Sequence, residues 1–316
     1  MPPKVVCVVG PTACGKTKMG VLLARACHGE VVSCDSMQIY RDMVIGTAAP
    51  TAEETEGIAH HMVGVVDPAS DYSVACYVRD AARCVDDILA RGKLPIIVGG
   101  TGLYLDALLS GRTFAGGQKG GERRRMLEAR LAKEGADALL AELARIDPAY
   151  ASKLTAGNQK RIVRALEIYY ESGITMTEQN RRNAALPPQY EAVTLGFAWE
   201  DRADMKAAID LRVDNMVAQG LFDEVRSLLD RGVPENCTAL QAIGYKEALA
   251  YLNGTQSAAE AIDEIKLRSR QYAKRQLTWF KRNPATGWYY WKKTRDFSAA
   301  LAFSTKFLAE YGVSYC

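Results

Sequence analysis

Hydrophobic and polar positions change period several times along the chain. Val5-Val6-Cys7-Val8-Val9 is an unbroken apolar run rich in β-branched residues, the pattern of a strand buried on both faces. Met19, Leu22, Leu23 and Ala26 follow at helical spacing. Glu30-Val31-Val32-Ser33 reads as a second strand, Met62 to Val66 as a third, and Leu94-Pro95-Ile96-Ile97-Val98 as a fourth. Between them, Val74 to Ala90 places Tyr77, Ala81, Val85, Ile88 and Leu89 on a helical face. Pro50 and the capping box Thr51-x-x-Glu54 predict a loop entering a short helix. This alternation predicts an α/β fold, a parallel sheet with helices on both faces. Ligands of such sheets sit at the carboxyl ends of the strands.

The pattern then changes. Ala115-Gly116-Gly117-Gln118-Lys119-Gly120-Gly121 has the composition of a flexible linker. Glu122 to about Leu186 is helical and strand-poor, and Leu186-Pro187-Pro188 closes it. Val193 to Ala198 resumes as a strand. The expected division is a core of residues 1–115 and 193–316 with a helical insertion over 116–192. From Asp204 onward Ile209, Val213, Met216, Leu221 and Val225 share a helical face, Ile262 to Lys281 predicts a long helix, and Trp288 to Trp291 a short late strand.

The 316 residues, 48% hydrophobic and 24% charged, suffice for one large domain with an insertion or for two domains. A net charge of +3 says little by itself, but its distribution is uneven. From Lys266 to Arg295 there are basic residues and no acidic one, interleaved with Tyr272, Trp279 and Phe280. Such a run suits nucleic acid, and equally a solvated helix face with its aromatics in the core. The eight cysteines form no Cys-x-x-Cys pair and no zinc-ligand spacing, so they are expected to be reduced. His60-His61 has no third ligand near it in sequence, and packing is expected of it rather than metal binding. No signal-like segment and no apolar stretch of membrane-spanning length is seen. A cytoplasmic protein without membrane contact is expected.

The candidate chemistry follows strands. Gly10-Pro11-Thr12-Ala13-Cys14-Gly15-Lys16-Thr17, after the first strand and before an amphipathic helix, is a phosphate-binding loop. Its glycines permit the tight turn, Lys16 can reach the outer phosphates and the Thr17 hydroxyl can hold Mg²⁺. Asp35 follows the second strand. It could act as general base near a bound diphosphate, coordinate magnesium or cap a helix. Thr101, in Gly99-Gly100-Thr101-Gly102, could turn its hydroxyl into the same pocket or serve as an ordinary cap.

These strings resemble the tRNA dimethylallyltransferase (tRNA isopentenyltransferase) family over nearly the whole chain. The resemblance rests on the phosphate loop, Asp35-Ser36-Met37-Gln38-Ile39-Tyr40, Ile45-Gly46-Thr47-Ala48-Ala49-Pro50 and Gly99-Gly100-Thr101-Gly102-Leu103-Tyr104. Three later strings extend it: Asn158 to Glu167, Ala242-Ile243-Gly244-Tyr245-Lys246-Glu247, and Arg270 to Phe280. It implies a P-loop NTPase-like core and transfer of a dimethylallyl group from dimethylallyl diphosphate to an exocyclic adenine N6. The target is the adenine 3′ of the anticodon in tRNAs that read codons beginning with U. It further implies Asp35 as base, Thr101 at the leaving group, and Gly10 to Thr17 with Arg212 on the diphosphate. Met37, Gln38, Gln241, Gly244 and Tyr245 are expected around the adenine, and Asp35, Ser36 and Thr101 are expected to contact the tRNA as well. Arg124, Gln159, Lys160, Arg161, Ile162 and Val163 of the insertion, with Lys274 and Arg275, are expected on a tRNA anticodon stem-loop. A monomer resembling the bacterial form, which ends without a zinc-finger extension, is expected. Cys14 stands where serine is frequent, and Gln159-Lys160 departs from the family's usual string before Arg161. Two rivals use the same loop: a small-molecule kinase with ATP, and an adenylate isopentenyltransferase acting on free nucleotides. A third, a non-catalytic RNA-binding module, leaves Asp35 and Thr101 without a role.

Overall fold

A computed structural model describes residues 2–112, 114 and 121–313. The strands are β1 (Lys4–Val9), β2 (Gly29–Cys34), β3 (His60–His61), β4 (Leu94–Gly99), β5 (Glu191–Trp199) and β6 (Gly287–Trp291). They form one all-parallel sheet in the order β3-β2-β4-β1-β5-β6. Alternate residues of each strand face opposite sides, which separates two cores. On one side Val6, Val8, Val31, Ile96 and Val98 pack under the helices Lys16–Ala26 and Phe297–Glu310. On the other, Val5, Cys7, Val32 and Ile97 pack under the helices Val74–Ala90 and Gly102–Leu109. A further cluster joins Ile39, Tyr40 and Met43 to the helices Arg202–Ala218, Leu221–Asp230, Tyr245–Leu252 and Ala258–Phe280.

The expected strand Met62 to Val66 does not form; the strand that pairs with β2 is His60–His61, just before it. Only His60 and His61 pair with β2, and Val66 forms an isolated bridge with Tyr40. Met62 and Gly64 take positive φ, at 62° and 60°, which bends the chain out of the extended state. The capping box at Thr51 and Glu54 is present, and its helix is the single turn Ala52–Thr55.

The chain divides into a unit of residues 1–109 and 189–316 and a unit of 110–188. The boundaries thus differ from the expected 116 and 192. Residues 189–192 belong to the sheet unit because the Gln189 N–H donates to the Leu109 carbonyl at 2.9 Å and the Tyr190 hydroxyl to Asp86 at 3.0 Å. The Gly-rich string 115–120 lies outside the described residues. The second unit contains the helices Glu122–Glu134, Ala136–Ile146, Pro148–Ala151, Gln159–Ser172 and Met176–Ala184. They close on a core of their own that includes Leu127, Leu139, Leu143, Ile162, Val163 and Leu166. Among the described residues no helix is long and apolar enough to cross a membrane.

Near the start of β2, buried Glu30 accepts from Arg91 through both carboxylate oxygens, from Lys93 at 2.8 Å, and pairs with His61 at 2.7 Å. The Arg91 hydrogen bonds hold its carboxyl well below the ordinary range despite burial. His61 therefore has a partner within the fold, and no cluster of metal-ligating side chains occurs among the described residues. A depressed carboxyl pKa contributes stability that is present above the unfolded value of about 4.3 and is lost as pH falls toward the folded value. Glu30→Gln is expected to lower stability near neutral pH by about 2 kcal/mol, since both cations are partly hydrated. In denaturant titrations the gap from the parent should close as pH drops below about 4. A gap that persists unchanged into acid would show that the loss is one of packing.

Candidate active site

The phosphate loop leaves β1 with Gly10, Ala13 and Gly15 at φ of 146°, 59° and 80°. A Cβ on Gly10 would lie 2.1 Å from the Phe197 carbonyl oxygen, so a side chain is excluded there. Three donors from β5, β6 and the chain after β6 hold the loop from outside. The Trp199 indole N–H and the Arg295 guanidinium donate to the Ala13 carbonyl at 3.1 and 2.6 Å, and the Trp291 indole donates to Cys14 at 2.8 Å. The Thr12 N–H donates to Gln276 Oε1 at 2.8 Å. Lys16 opens the following helix, and its Nζ donates to the Pro11 carbonyl at 2.7 Å. Cys14, with no exposed surface, lies inside the loop.

β2 and β4 bring Asp35 and Thr101 to the same end of the sheet, since Cys34 and Val9 are both in register with Gly99. Asp35 Oδ1 accepts from the N–H groups of Met37 at 2.9 Å and Gln38 at 3.4 Å, which fixes the turn. No helix starts here, so the expected helix-capping alternative does not apply; the side chain braces a turn through one oxygen. Thr101 Oγ1 accepts from the Ser36 N–H at 3.1 Å and donates to Ser36 Oγ at 3.4 Å, stitching the two turns together. Arg212 donates to the Thr47 carbonyl at 3.4 Å. Burial pushes the Lys16 ammonium and the Arg212 guanidinium below their ordinary values, opposed at Lys16 first by Cys14 and then by Asp35, and at Arg212 first by Asp35. Two desolvated cations and one carboxylate therefore share a field beside the phosphate loop. The Tyr272 phenol is pushed up to about 12, by burial first and by the Asp35 charge second.

Other expected contacts stand elsewhere. The Gln38 amide accepts from Ser33 Oγ and donates to the Thr47 and Ala48 carbonyls at 3.3 and 3.0 Å, so its polar atoms hold the loop. Tyr245 has 0% exposure and donates to Glu224 Oε1 at 2.6 Å. Glu224 in turn accepts from the N–H groups of Val44, Ile45 and Gly46. A tRNA contact by the Tyr245 side chain is thereby corrected: this residue is a core strut, and Gly244 is buried beside it. Gln241 is exposed and Met37 half-buried.

In the insertion, Ile162 and Val163, at 0% and 2% exposure, form core and cannot present side chains to RNA. Arg124 pairs with Glu128 at 2.9 Å and with buried Glu167 at 3.5 Å. Gln159, Lys160 and Arg161 are exposed in the first turn of their helix. Four of the ten cations in the run without acids pair with carboxylates, three of these on other helices and one on the run's own helix. Lys266 pairs with Asp214, Arg268 with Glu264, Arg270 with Asp210 and Arg282 with Asp106. Lys274 and Arg275 remain exposed, with the Arg275 guanidinium 5.7 Å from the Tyr272 ring centre.

Trp199, Trp291 and Glu224 carry no signal in sequence that ties them to the site, and Gln276 lies in the family-like string Arg270 to Phe280 without a role assigned to it. Tryptophan reads as strand or core, and the other two as single polar residues on helices.

The model of a family described as IPP transferase matches residues 38–283, and one described as isopentenyl transferase matches residues 3–63. The chain is 44% identical over 285 residues to a tRNA dimethylallyltransferase of Oceanobacillus iheyensis, covering 90% of each. It is 45% identical over 289 residues to one of Halalkalibacterium halodurans, covering 92% of this chain and 91% of the relative. Among solved structures, the full-length tRNA isopentenylpyrophosphate transferase of Bacillus halodurans matches with TM-score 0.72 and 40% identity, over 98% of both chains. A eukaryotic dimethylallyltransferase acting on tRNA matches with TM-score 0.81 and 28% identity, over 98% of this chain and 80% of that one.

Proposed function

The chain belongs to the IPP transferase family, whose relatives here are tRNA dimethylallyltransferases, and we propose how its residues perform that prenyl transfer. The donor is dimethylallyl diphosphate. The acceptor is N6 of the adenine 3′-adjacent to the anticodon in tRNAs that read codons beginning with U. The observation that carries this reading is that the sheet register brings the phosphate loop, Asp35 and Thr101 to one end, with Thr101 Oγ1 bonded to the N–H next to Asp35. A phosphate loop alone would equally suit a kinase.

In this mechanism the amine nitrogen attacks the allylic carbon as the carbon–oxygen bond to diphosphate breaks. The N6 proton passes to Asp35, and the leaving oxygens are met by Lys16, Arg212 and the Thr101 hydroxyl. The adenine must leave the anticodon-loop stack to reach such a pocket. Mg²⁺ fits the donor set in a limited way. Among the described residues no cluster of three His, Cys, Asp or Glu side chains could cage it, so the Thr17 hydroxyl and the substrate's own oxygens would hold it. Once bound it supplies charge neutralisation to the diphosphate.

The deciding experiment incubates isotopically labelled donor with tRNA, with AMP or with ATP. Label on tRNA alone is expected. Label on AMP or ATP would favour the adenylate enzyme, and no transfer at all would refute the reading.

For tRNA we propose phosphate contacts from Lys274 and Arg275, and from Lys160 and Arg161 at a helix N-terminus. Replacing Lys274 and Arg275 by alanine is expected to weaken tRNA binding and to flatten the slope of log K against log salt by about one to two units, with donor affinity unchanged. An unchanged slope would make this a solvated face.

A further inference from the structure

We propose that Gln276 is a positioning residue that locks the diphosphate loop to the Thr101 turn, setting the geometry of donor and leaving group together. This rests on the prenyl-transfer reading above. Gln276 lies on the helix Ala258–Phe280 and is 5% exposed. Its Oε1 accepts from the Thr12 N–H at 2.8 Å, and its Nε2 donates to the Gly100 carbonyl at 3.0 Å. These partners fix the amide's orientation. A flipped amide would set N–H against N–H and oxygen against oxygen.

The two contacts reach the two halves of the proposed chemistry. Thr12 belongs to the loop that takes the diphosphate, and Gly100 directly precedes Thr101. With its N–H committed to Gln276, Thr12 contributes no backbone donor to the phosphates in this arrangement, so the loop's diphosphate contacts fall to its other members. A Cβ on Gly100 would lie 2.1 Å from Nε2, so glycine there is what lets the amide approach. The Tyr272 phenol, one helical turn earlier, lies against both Thr101 and Gln276, which closes the same small polar network. Buried networks of this kind hold geometry when every member is satisfied and lose it when one is removed.

Two variants separate this role from packing. Gln276→Met keeps the volume but leaves the Thr12 N–H and the Gly100 carbonyl without partners. It is expected to raise the donor KM and to lower kcat, with kcat/KM down by about 10–10²-fold. Gln276→Glu at high pH keeps an acceptor for Thr12 but turns a negative oxygen toward the Gly100 carbonyl. It should preserve the donor KM and lower kcat alone.

Burial raises a carboxyl pKa, and the protonated form can donate to Gly100 while still accepting from Thr12. The ratio of Gln276→Glu to parent activity is therefore expected to rise as the assay moves from about pH 8.5 to about pH 6. Measuring the ratio removes the parent's own pH profile. In parallel, amide hydrogen exchange should show the Thr12 N–H losing protection in Gln276→Met.

A pH-independent ratio with equal losses in both variants would reduce Gln276 to a packing residue. Full activity in Gln276→Met, or unchanged protection at Thr12, would also overturn the proposal. Prenylation by the parent protein is scored separately with labelled donor and tRNA. Failure there would strike the functional reading, whereas failure of the variants with an active parent strikes Gln276 alone.

Discussion

Asp35→Asn is expected to slow the chemical step by about 10²–10⁴-fold while leaving the fold and both substrate affinities close to the parent. The substitution is conservative for the turn. Asp35 Oδ1 accepts from the Met37 and Gln38 N–H groups, and an asparagine carbonyl oxygen accepts the same two bonds. What an amide cannot do is take the N6 proton. The N6 amine of adenine is a weak nucleophile, so loss of proton removal falls on the transition state rather than on binding. Single-turnover transfer with both substrates saturating is the measurement. A rate within a few-fold of the parent would leave Asp35 only its structural role at the head of the turn.

Lys16→Ala is expected to lower transfer by about 10²-fold or more, with a raised donor KM and nearly intact tRNA affinity. The cation's value lies in its burial. Desolvation lowers the Lys16 pKa, which means that the ligand-free site holds the ammonium at a cost. A lysine pKa lowered by folding makes the unfolded chain bind more protons between the two values, so stability rises with pH in that window. Removing the lysine is therefore not expected to destabilise the ligand-free fold. A bound diphosphate reverses this balance because its negative charge lies against the ammonium, and with the prenyl donor the charge on the leaving oxygen grows as the carbon–oxygen bond breaks. Thermal shift with and without diphosphate reads both sides: the parent should gain more stability from diphosphate than Lys16→Ala does. Equal gains in the two proteins, or a loss of tRNA affinity matching the loss of donor affinity, would contradict the placement of Lys16.

Strands buried on both faces announce themselves as continuous apolar runs, and for this reason β1, β2 and β4 were legible, together with the three turns that follow them. Their carboxyl ends coincide because parallel pairing in register requires it, so the convergence of the phosphate loop, Asp35 and Thr101 could be expected from order alone. The third strand was misjudged because periodicity reports side-chain burial and not backbone angle. Met62 is buried as its pattern demands, yet its φ is positive. The insertion's limits were misplaced for a related reason. Composition marks where a linker begins, whereas the boundary lies where hydrogen bonds such as Gln189 to Leu109 return the chain to the sheet.

Residues whose roles depend on distant partners lay beyond the sequence. Lys266, Arg270 and Arg282 belong to a run without acids, yet Asp214, Asp210 and Asp106 pair with them from other helices, while Glu264 pairs with Arg268 one turn away and Lys274 and Arg275 are among the cations left exposed. Tyr245 sits in a family-like string that suggested contact with substrate, and its hydroxyl instead closes on Glu224 in the core. Gln276 lies in a family-like string, Arg270 to Phe280, but its role was not legible there, because an amide joining residues 12 and 100 is defined only once those loops are brought to the same helix. Local sequence determined the strands, the phosphate loop and the types of group that follow each strand, since short-range sterics and burial periodicity act within a few residues. Tertiary packing alone decided which charges are paired, which polar groups are buried and which loops are tied together, since electrostatic and hydrogen-bond partners are chosen by distance in space and not by distance along the chain.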